Sequence, residues 1–172
     1  IGALYEDGLK EYAAAAEWYE KAAVKADDKT IYSGLGYYGS TTENGKAHAL
    51  FNLGTLFQDG KGVEHNNAKA GELYKEALEL GGNHALDQLA HIHKFTLHDY
   101  KEAAKWYSKL IESKAEGDFD YHFYMYHLGE LYEWGGNLGK DYKKAFDLYT
   151  DAAGKGSNHA SYNLAKLYRD GN

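Results

Sequence analysis

Residues 53–63 read Leu53-Gly54-Thr55-Leu56-Phe57-Gln58-Asp59-Gly60-Lys61-Gly62-Val63, and the segment that follows carries Ala70, Leu73, Tyr74 and Ala77. In both halves the apolar residues recur at i, i+3 and i+4, the spacing of one helical face and not of a strand. The first half has the pattern aliphatic, small, any, aliphatic, aromatic. Working outward, the same pattern returns as Ile1-Gly2-Ala3-Leu4-Tyr5, Leu89-Ala90-His91-Ile92-His93, Leu128-Gly129-Glu130-Leu131-Tyr132 and Leu164-Ala165-Lys166-Leu167-Tyr168. We call this helix A. Seven residues after its first position stands Gly8, Gly60, Gly135 or Gly171, the expected helix stop, with Thr96 in the third copy. The second half, helix B, returns as Ala15-x-x-Trp18-Tyr19, Ala103-x-x-Trp106-Tyr107 and Ala145-x-x-Leu148-Tyr149.

Each A-B pair reads as an αα-hairpin. A single hairpin cannot bury its apolar face, so neighbouring hairpins must stack into a solenoid whose contacts are mostly nearest-neighbour. Gly or Ala at positions 2, 54, 90, 129 and 165 is expected to let helix B lie close against helix A. Tyr19, Tyr74, Tyr107 and Tyr149 are repeat positions and read as core. The A helices start 52, 36, 39 and 36 residues apart. The expectation is one repeat domain over 1–172, with units at about 1–26, 47–82, 83–114 and 122–156, a terminal A helix at 158–172 and an insertion loop at 27–46. The third unit departs most, with His93 where the others carry an aromatic and no Asp-Gly turn.

The string Leu53-Gly-x-Leu-Phe-x-Asp-Gly-Lys-Gly-Val63, with Ala70-x-x-Leu-Tyr-Lys-x-Ala77 and Gly82-Asn-His-Ala85, resembles the Sel-1-like repeat family, relatives of the tetratricopeptide repeat. Leu128 to Ala160 repeats the match nearly in full. The resemblance implies an all-α fold, a right-handed αα-hairpin superhelix, and a non-catalytic role as a protein-interaction scaffold or adaptor.

Composition narrows the alternatives. The 172 residues include no proline and no cysteine, which excludes disulfide scaffolds, thiolate zinc sites and cysteine nucleophiles. A balance of 19 Lys+Arg against 26 Asp+Glu gives a net charge of -7, the wrong sign for a phosphate-backbone binder, so no nucleic-acid partner is expected. No apolar run approaches the roughly 18 residues that span a bilayer, and mean hydropathy is -0.68. The segment therefore reads as a soluble domain without membrane insertion. The first residue is Ile1, so the sequence reads as a processed or trimmed piece of a longer protein. The family resemblance adds an extracytoplasmic or membrane-associated complex as a possible setting.

Apparent motifs reduce to repeat positions or loops. Gly34-Leu-Gly36-Tyr-Tyr-Gly39 has the glycine spacing of a dinucleotide fingerprint, but its flanks are αα-hairpins and not the βαβ unit that such a site requires. His48, His84 and His159 each stand immediately before the first Ala of a helix A, so they should be spread along the array. Asp87 and His91, at i and i+4, make half a metal site at most, and His93 is expected to fill the aromatic packing position. No cofactor, metal or catalytic residue is expected, and no nucleophile elbow, His-Glu-x-x-His or Walker loop is present.

By similarity to tetratricopeptide arrays, the A helices line the concave side and their outward positions lie two before, two after and five after the key aliphatic. In this sequence those are Phe51, Thr55 and Gln58; Asp87, His91 and Lys94; Tyr126, Glu130 and Glu133; and Tyr162, Lys166 and Arg169. Aromatics at Phe51, Tyr126 and Tyr162, where a solvated face would carry Lys or Glu, suggest a groove for a polypeptide. The expected function is a scaffold that binds a protein or peptide there. A dedicated inhibitor or immunity-type binder of one enzyme is the alternative, and an enzyme is less favoured.

Overall fold

The computed structural model describes Gly2 and residues 11–24, 42–113 and 120–171. These residues form eight α-helices and no strand: α1 (Tyr12–Val24), α2 (Thr42–Asp59), α3 (Asn67–Glu79), α4 (Ala85–Phe95), α5 (Tyr100–Ser113), α6 (Tyr121–Trp134), α7 (Tyr142–Gly154) and α8 (Asn158–Asp170), with a 3-10 turn at Gly136–Leu138. Helices α2, α4, α6 and α8 are A helices, and α1, α3, α5 and α7 are B helices. The fold class is the all-α helical-repeat solenoid.

Local chemistry sets the helix ends. Asn66, Asp99, Asp141 and Ser157 each accept a hydrogen bond from the backbone N–H three residues on, which satisfies a donor that the first turn leaves open. Gly60, Gly135 and Gly171 stop α2, α6 and α8 with φ of +67°, +81° and +73°, a region that glycine enters without a Cβ penalty. In the third unit, which has Thr96 in place of that glycine, the chain reverses at His98, with φ +53°. Its loop is tied down instead by Asn137, whose side chain donates to Asp99 Oδ1 at 2.8 Å and accepts from the Lys101 N–H at 3.1 Å.

The chain divides into two compact units, Ile1–Gln88 and Leu89–Asn172. In the first, α1, α2 and α3 pack through Ala15, Tyr19, Leu53, Leu56, Ala70, Tyr74 and Ala77, all buried. In the second, Met125, Ala145, Tyr149, Ala152, Ala160 and Leu167 form one core cluster. Helix α8 has no B helix of its own among the described residues, and α7 covers its Leu167. The Tyr168 ring remains on the surface, edge-on to Phe146 at 5.3 Å.

The repeating small residue has the expected role in finer detail. A Cβ placed on Gly2, Gly54 or Gly129 would stand 2.8, 2.8 or 2.6 Å from Cε1 of Tyr19, Tyr74 or Tyr149. Each A-helix glycine is thus the floor on which the B-helix tyrosine lies. His93 is buried, as expected for the aromatic position it replaces. Residues 27–41 of the expected insertion, the Gly34-x-Gly36 motif among them, lie outside the described residues. Residues 42–46 are not loop but the start of α2, and Lys46 there pairs with Glu76 on α3 at 3.0 Å.

Candidate functional site

In the first unit, the A-face residues Phe51, Thr55 and Gln58 converge on one B-helix tyrosine. Phe51 packs its ring 5.4 Å from that of Tyr74. The Tyr74 hydroxyl donates to Gln58 Oε1 at 2.7 Å and lies 3.2 Å from Thr55 Oγ1. These three residues, expected to face a partner, are half-buried and hold the hairpin together. His48 and His84 face each other at 5.9 Å on the surface, and Asp87 is exposed on the first turn of α4.

The second unit concentrates the polar chemistry. Lys94, on α4, is 1 % exposed. Its ammonium sits among the rings of Phe95, Trp134, Tyr107 and Tyr126, 4.8 to 5.9 Å from their centroids. Its polar partners are His127 Nδ1 at 2.6 Å and the Glu130 carboxylate. An ammonium has protons to give and no lone pair. His127 Nδ1 must therefore accept, and its 3.0 Å approach to Glu130 Oε2 places two acceptors side by side under one cation. The Tyr126 hydroxyl donates to the other oxygen of Glu130 at 2.6 Å.

The protonation states agree with this pattern. Burial is the largest influence on Lys94 and pulls its pKa down to about 8, with Glu130 opposing. Burial alone would raise Glu130, but the contact with His127, the Lys94 charge and the Lys94 and Tyr126 hydrogen bonds outweigh it and hold the carboxyl at about 2. Burial also lowers His127, which keeps the imidazole neutral. Burial and the Glu130 hydrogen bond raise Tyr126. At neutral pH the cluster is one ammonium and one carboxylate in direct contact, with a neutral imidazole beside them.

Glu133 anchors a second, adjoining set. Its Oε2 accepts from the Tyr149 hydroxyl at 2.8 Å and its Oε1 from Lys166 Nζ at 2.7 Å, while Asn163 donates to the same tyrosine at 3.1 Å. Burial and Glu133 together push the Tyr149 pKa up.

The expected outward placement of Lys94, Glu130 and Glu133 is therefore corrected: all three are buried. A buried charge is stable only where an opposite charge or hydrogen-bond partner compensates it, and these three find their partners inside the chain. Lys166 is spent on Glu133, and Arg169 pairs with its neighbour Asp170 at 2.8 Å. Tyr126 is half-buried and committed to Glu130. Of the expected second-unit residues, His91, Tyr162 and Arg169 stand open to solvent, Tyr162 at 72 %.

Beside Trp134, 40 % exposed, α4 and α6 leave two further rings in solvent that the repeat rule does not select. Phe95 is 43 % and Phe123 48 % exposed. Both meet the imidazole of His127 edge-on, at 5.8 and 4.2 Å, and His91 lies against Phe95 at 4.8 Å. Their signal in the sequence is a break in the repeat: Phe95 stands where the first, second and last A helices carry Asp7, Asp59 and Asp170, and Phe123 where others carry His48, His84 and His159.

A model of the Sel1 repeat matches residues 1–24, 47–82, 94–114 and 122–157. The chain belongs to the Sel1 repeat family. The third match is the shortest, in keeping with the divergent third unit. Among solved structures, the Sel1 repeat chain is similar to a Sel1 repeat protein from Oxalobacter formigenes at 26 % identity and a TM-score of 0.62, over 98 % of this chain and 61 % of that one. It shares its fold with c5321, a protective antigen of uropathogenic Escherichia coli strains displaying an SLR fold, at 24 % identity and a TM-score of 0.53, over 99 % of this chain and 40 % of the antigen. It is also 24 % identical over 149 residues to a eukaryotic elongation factor 2 kinase of Caenorhabditis elegans, matching 66 % of this chain and spanning 19 % of the kinase's length. Sel1 repeats are protein-interaction modules, and the family is generally non-catalytic. No helix among the described residues is long and apolar enough to cross a membrane, and no group of three or more His, Asp or Glu among them is placed to hold a metal ion.

Proposed function

We propose that this Sel1 repeat chain is a non-catalytic scaffold that binds a polypeptide partner through the open face of its A helices. The centre of that face is Phe95 and Phe123, with His91 beside them and Tyr162 on the last A helix. The observation that carries the reading is a contrast within the second unit. Lys94, Glu130 and Glu133 are buried and paired, Lys166 meets Glu133 from the surface and Arg169 is taken up by Asp170, while the rings of Phe95, Phe123 and Tyr162 remain in water. Exposed aromatics set beside a rigid, satisfied polar layer are the composition of a binding hot spot. Aromatic side chains bring large contact area at low entropic cost, so affinity resides in those anchors and not in ion pairs across the interface.

Site-specific photo-crosslinking in the native cell tests this. A photoreactive phenylalanine analogue placed at Phe95, Phe123 or Tyr162 is expected to trap a polypeptide, and the same group at the exposed B-helix positions Lys143 or Asp147 is expected to trap little. Crosslinks that form from Lys143 and Asp147 and not from the rings would move the binding surface to the B helices.

A further inference from the structure

We propose that His127 is a pH-sensitive latch beneath the Phe95 and Phe123 rings: neutral, it holds them in their edge-on places, and protonated, it lets them go. The latch is a property of the free chain. Its consequence, acid-triggered loss of binding, rests on the reading of this face as a docking surface.

The Lys94 ammonium holds Nδ1 of His127 as an acceptor. Nδ1 is 2.6 Å from the Lys94 ammonium, which can only donate. A proton on Nδ1 would set two donors against each other and add a second positive charge to a buried site holding one carboxylate. The charged and titratable groups that face the imidazole are His91 and Lys94 on α4, Tyr107 on α5, and Tyr126 and Glu130 on its own helix. From α7 and α8, Tyr149 and His159 reach the ring of Tyr126. Among the groups of the described residues that face the ring, Glu130 is the anion. Its Oε2 already lies 3.0 Å from Nδ1, so a protonated imidazole has an acceptor waiting and takes it from Lys94.

That exchange displaces the ammonium from its ring-lined seat and leaves a charged imidazole, bonded to Glu130, under the two phenylalanine rings. Phe95 meets the imidazole at an interplanar angle of 85° and Phe123 at 86°, so both edge-on contacts feel the change of charge on that ring directly. Phe95 also follows Lys94 directly in the chain and packs 4.8 Å from its ammonium, so movement of the lysine reaches the face by a second route. Burial holds His127 below the ordinary histidine range. The latch is therefore set at neutral pH and releases in mild acid.

The test is an NMR titration of the isotope-labelled chain from pH 7.5 to 4.5, following the ring signals of His127, Phe95 and Phe123, with helix content checked by circular dichroism. The Phe95 and Phe123 signals are expected to shift with the midpoint of His127, below pH 6.5, while helix content holds. In Lys94→Met the opposing ammonium is gone, and the His127 midpoint is expected to rise by about one unit or more. In His127→Asn the side-chain oxygen accepts from Lys94 and does not titrate, so the two phenylalanine signals are expected to stay still. The latch is overturned if the phenylalanines ignore the His127 titration, if Lys94→Met leaves its midpoint unchanged, or if His127→Asn titrates like the parent. Should His127→Asn not fold, the parent and Lys94→Met decide. No partner enters these measurements, so a failed latch leaves the docking reading standing, and a failed crosslinking experiment leaves the latch standing.

Discussion

The ring of Tyr149 fills the space that a side chain on Gly129 would need, with Cε1 2.6 Å from where the Cβ would be. The ring cannot slide away cheaply. It is fully buried, and its hydroxyl is held between Glu133 and Asn163. Gly129→Ala would gain up to about 1 kcal/mol of helix propensity, yet the overlap should prevail and leave a net loss of about 1 to 3 kcal/mol. Urea unfolding of the variant measures it, and a stabilised Gly129→Ala would show that the hairpin yields more readily than its contacts indicate.

Lys94 and Glu130 should behave as a pair. Lys94→Met strands a buried carboxylate and is expected to cost about 3 to 5 kcal/mol, whereas removing both charges with Lys94→Met and Glu130→Gln should cost much less than the sum of the single changes. A double-mutant cycle in chemical denaturation reads the coupling. Additive losses would mean that the two side chains do not share one site.

Most of the repeat architecture was legible because hairpin stacking writes itself into spacing. The A-B pairs, the glycine stops at Gly60, Gly135 and Gly171, and the tyrosine core all follow from where small and apolar residues recur. The polar site was not legible in the same way. Position within a repeat told which direction Lys94, Glu130 and Glu133 leave the helix, but not that each would meet an opposite charge or hydroxyl from another element and close over. Burial of charge is decided by tertiary partners 33 to 36 residues away, as in Lys94 with His127 and Glu130. A rule built on shared positions gives no weight to departures, and Phe95 and Phe123 are departures.

Stability should vary with pH in a way that names its sources. Lys94 is held at about 8 against an ordinary 10.5, so the unfolded chain keeps that proton longer and stability should climb from about pH 8 toward 10. Tyr74, Tyr126 and Tyr149 have the opposite sign: held above their ordinary 10.0, they stay protonated in the fold, and stability should fall once the unfolded chain ionises above pH 10. On the acid side, the depressed His127 removes stability as pH falls below 6.5, and Glu130, held at about 2, removes more as pH falls below 4.5. Urea midpoints across this range should therefore rise from pH 8 and peak near about pH 10. A midpoint that declines steadily from pH 8 to 10 would contradict the burial of a charged Lys94.

The most direct measurement is the affinity of the crosslinked partner for the chain carrying Phe95→Ala and Phe123→Ala together, compared with the parent and with a charge reversal at Lys143 and Asp147. The face reading predicts that the ring variant loses about 2 kcal/mol or more of binding energy, roughly thirtyfold in Kd, with its melting transition nearly unchanged because both rings are already half in water. The charge reversal should bind like the parent. An unchanged Kd in the ring variant, with binding lost on charge reversal, would contradict the account and assign recognition to the B helices.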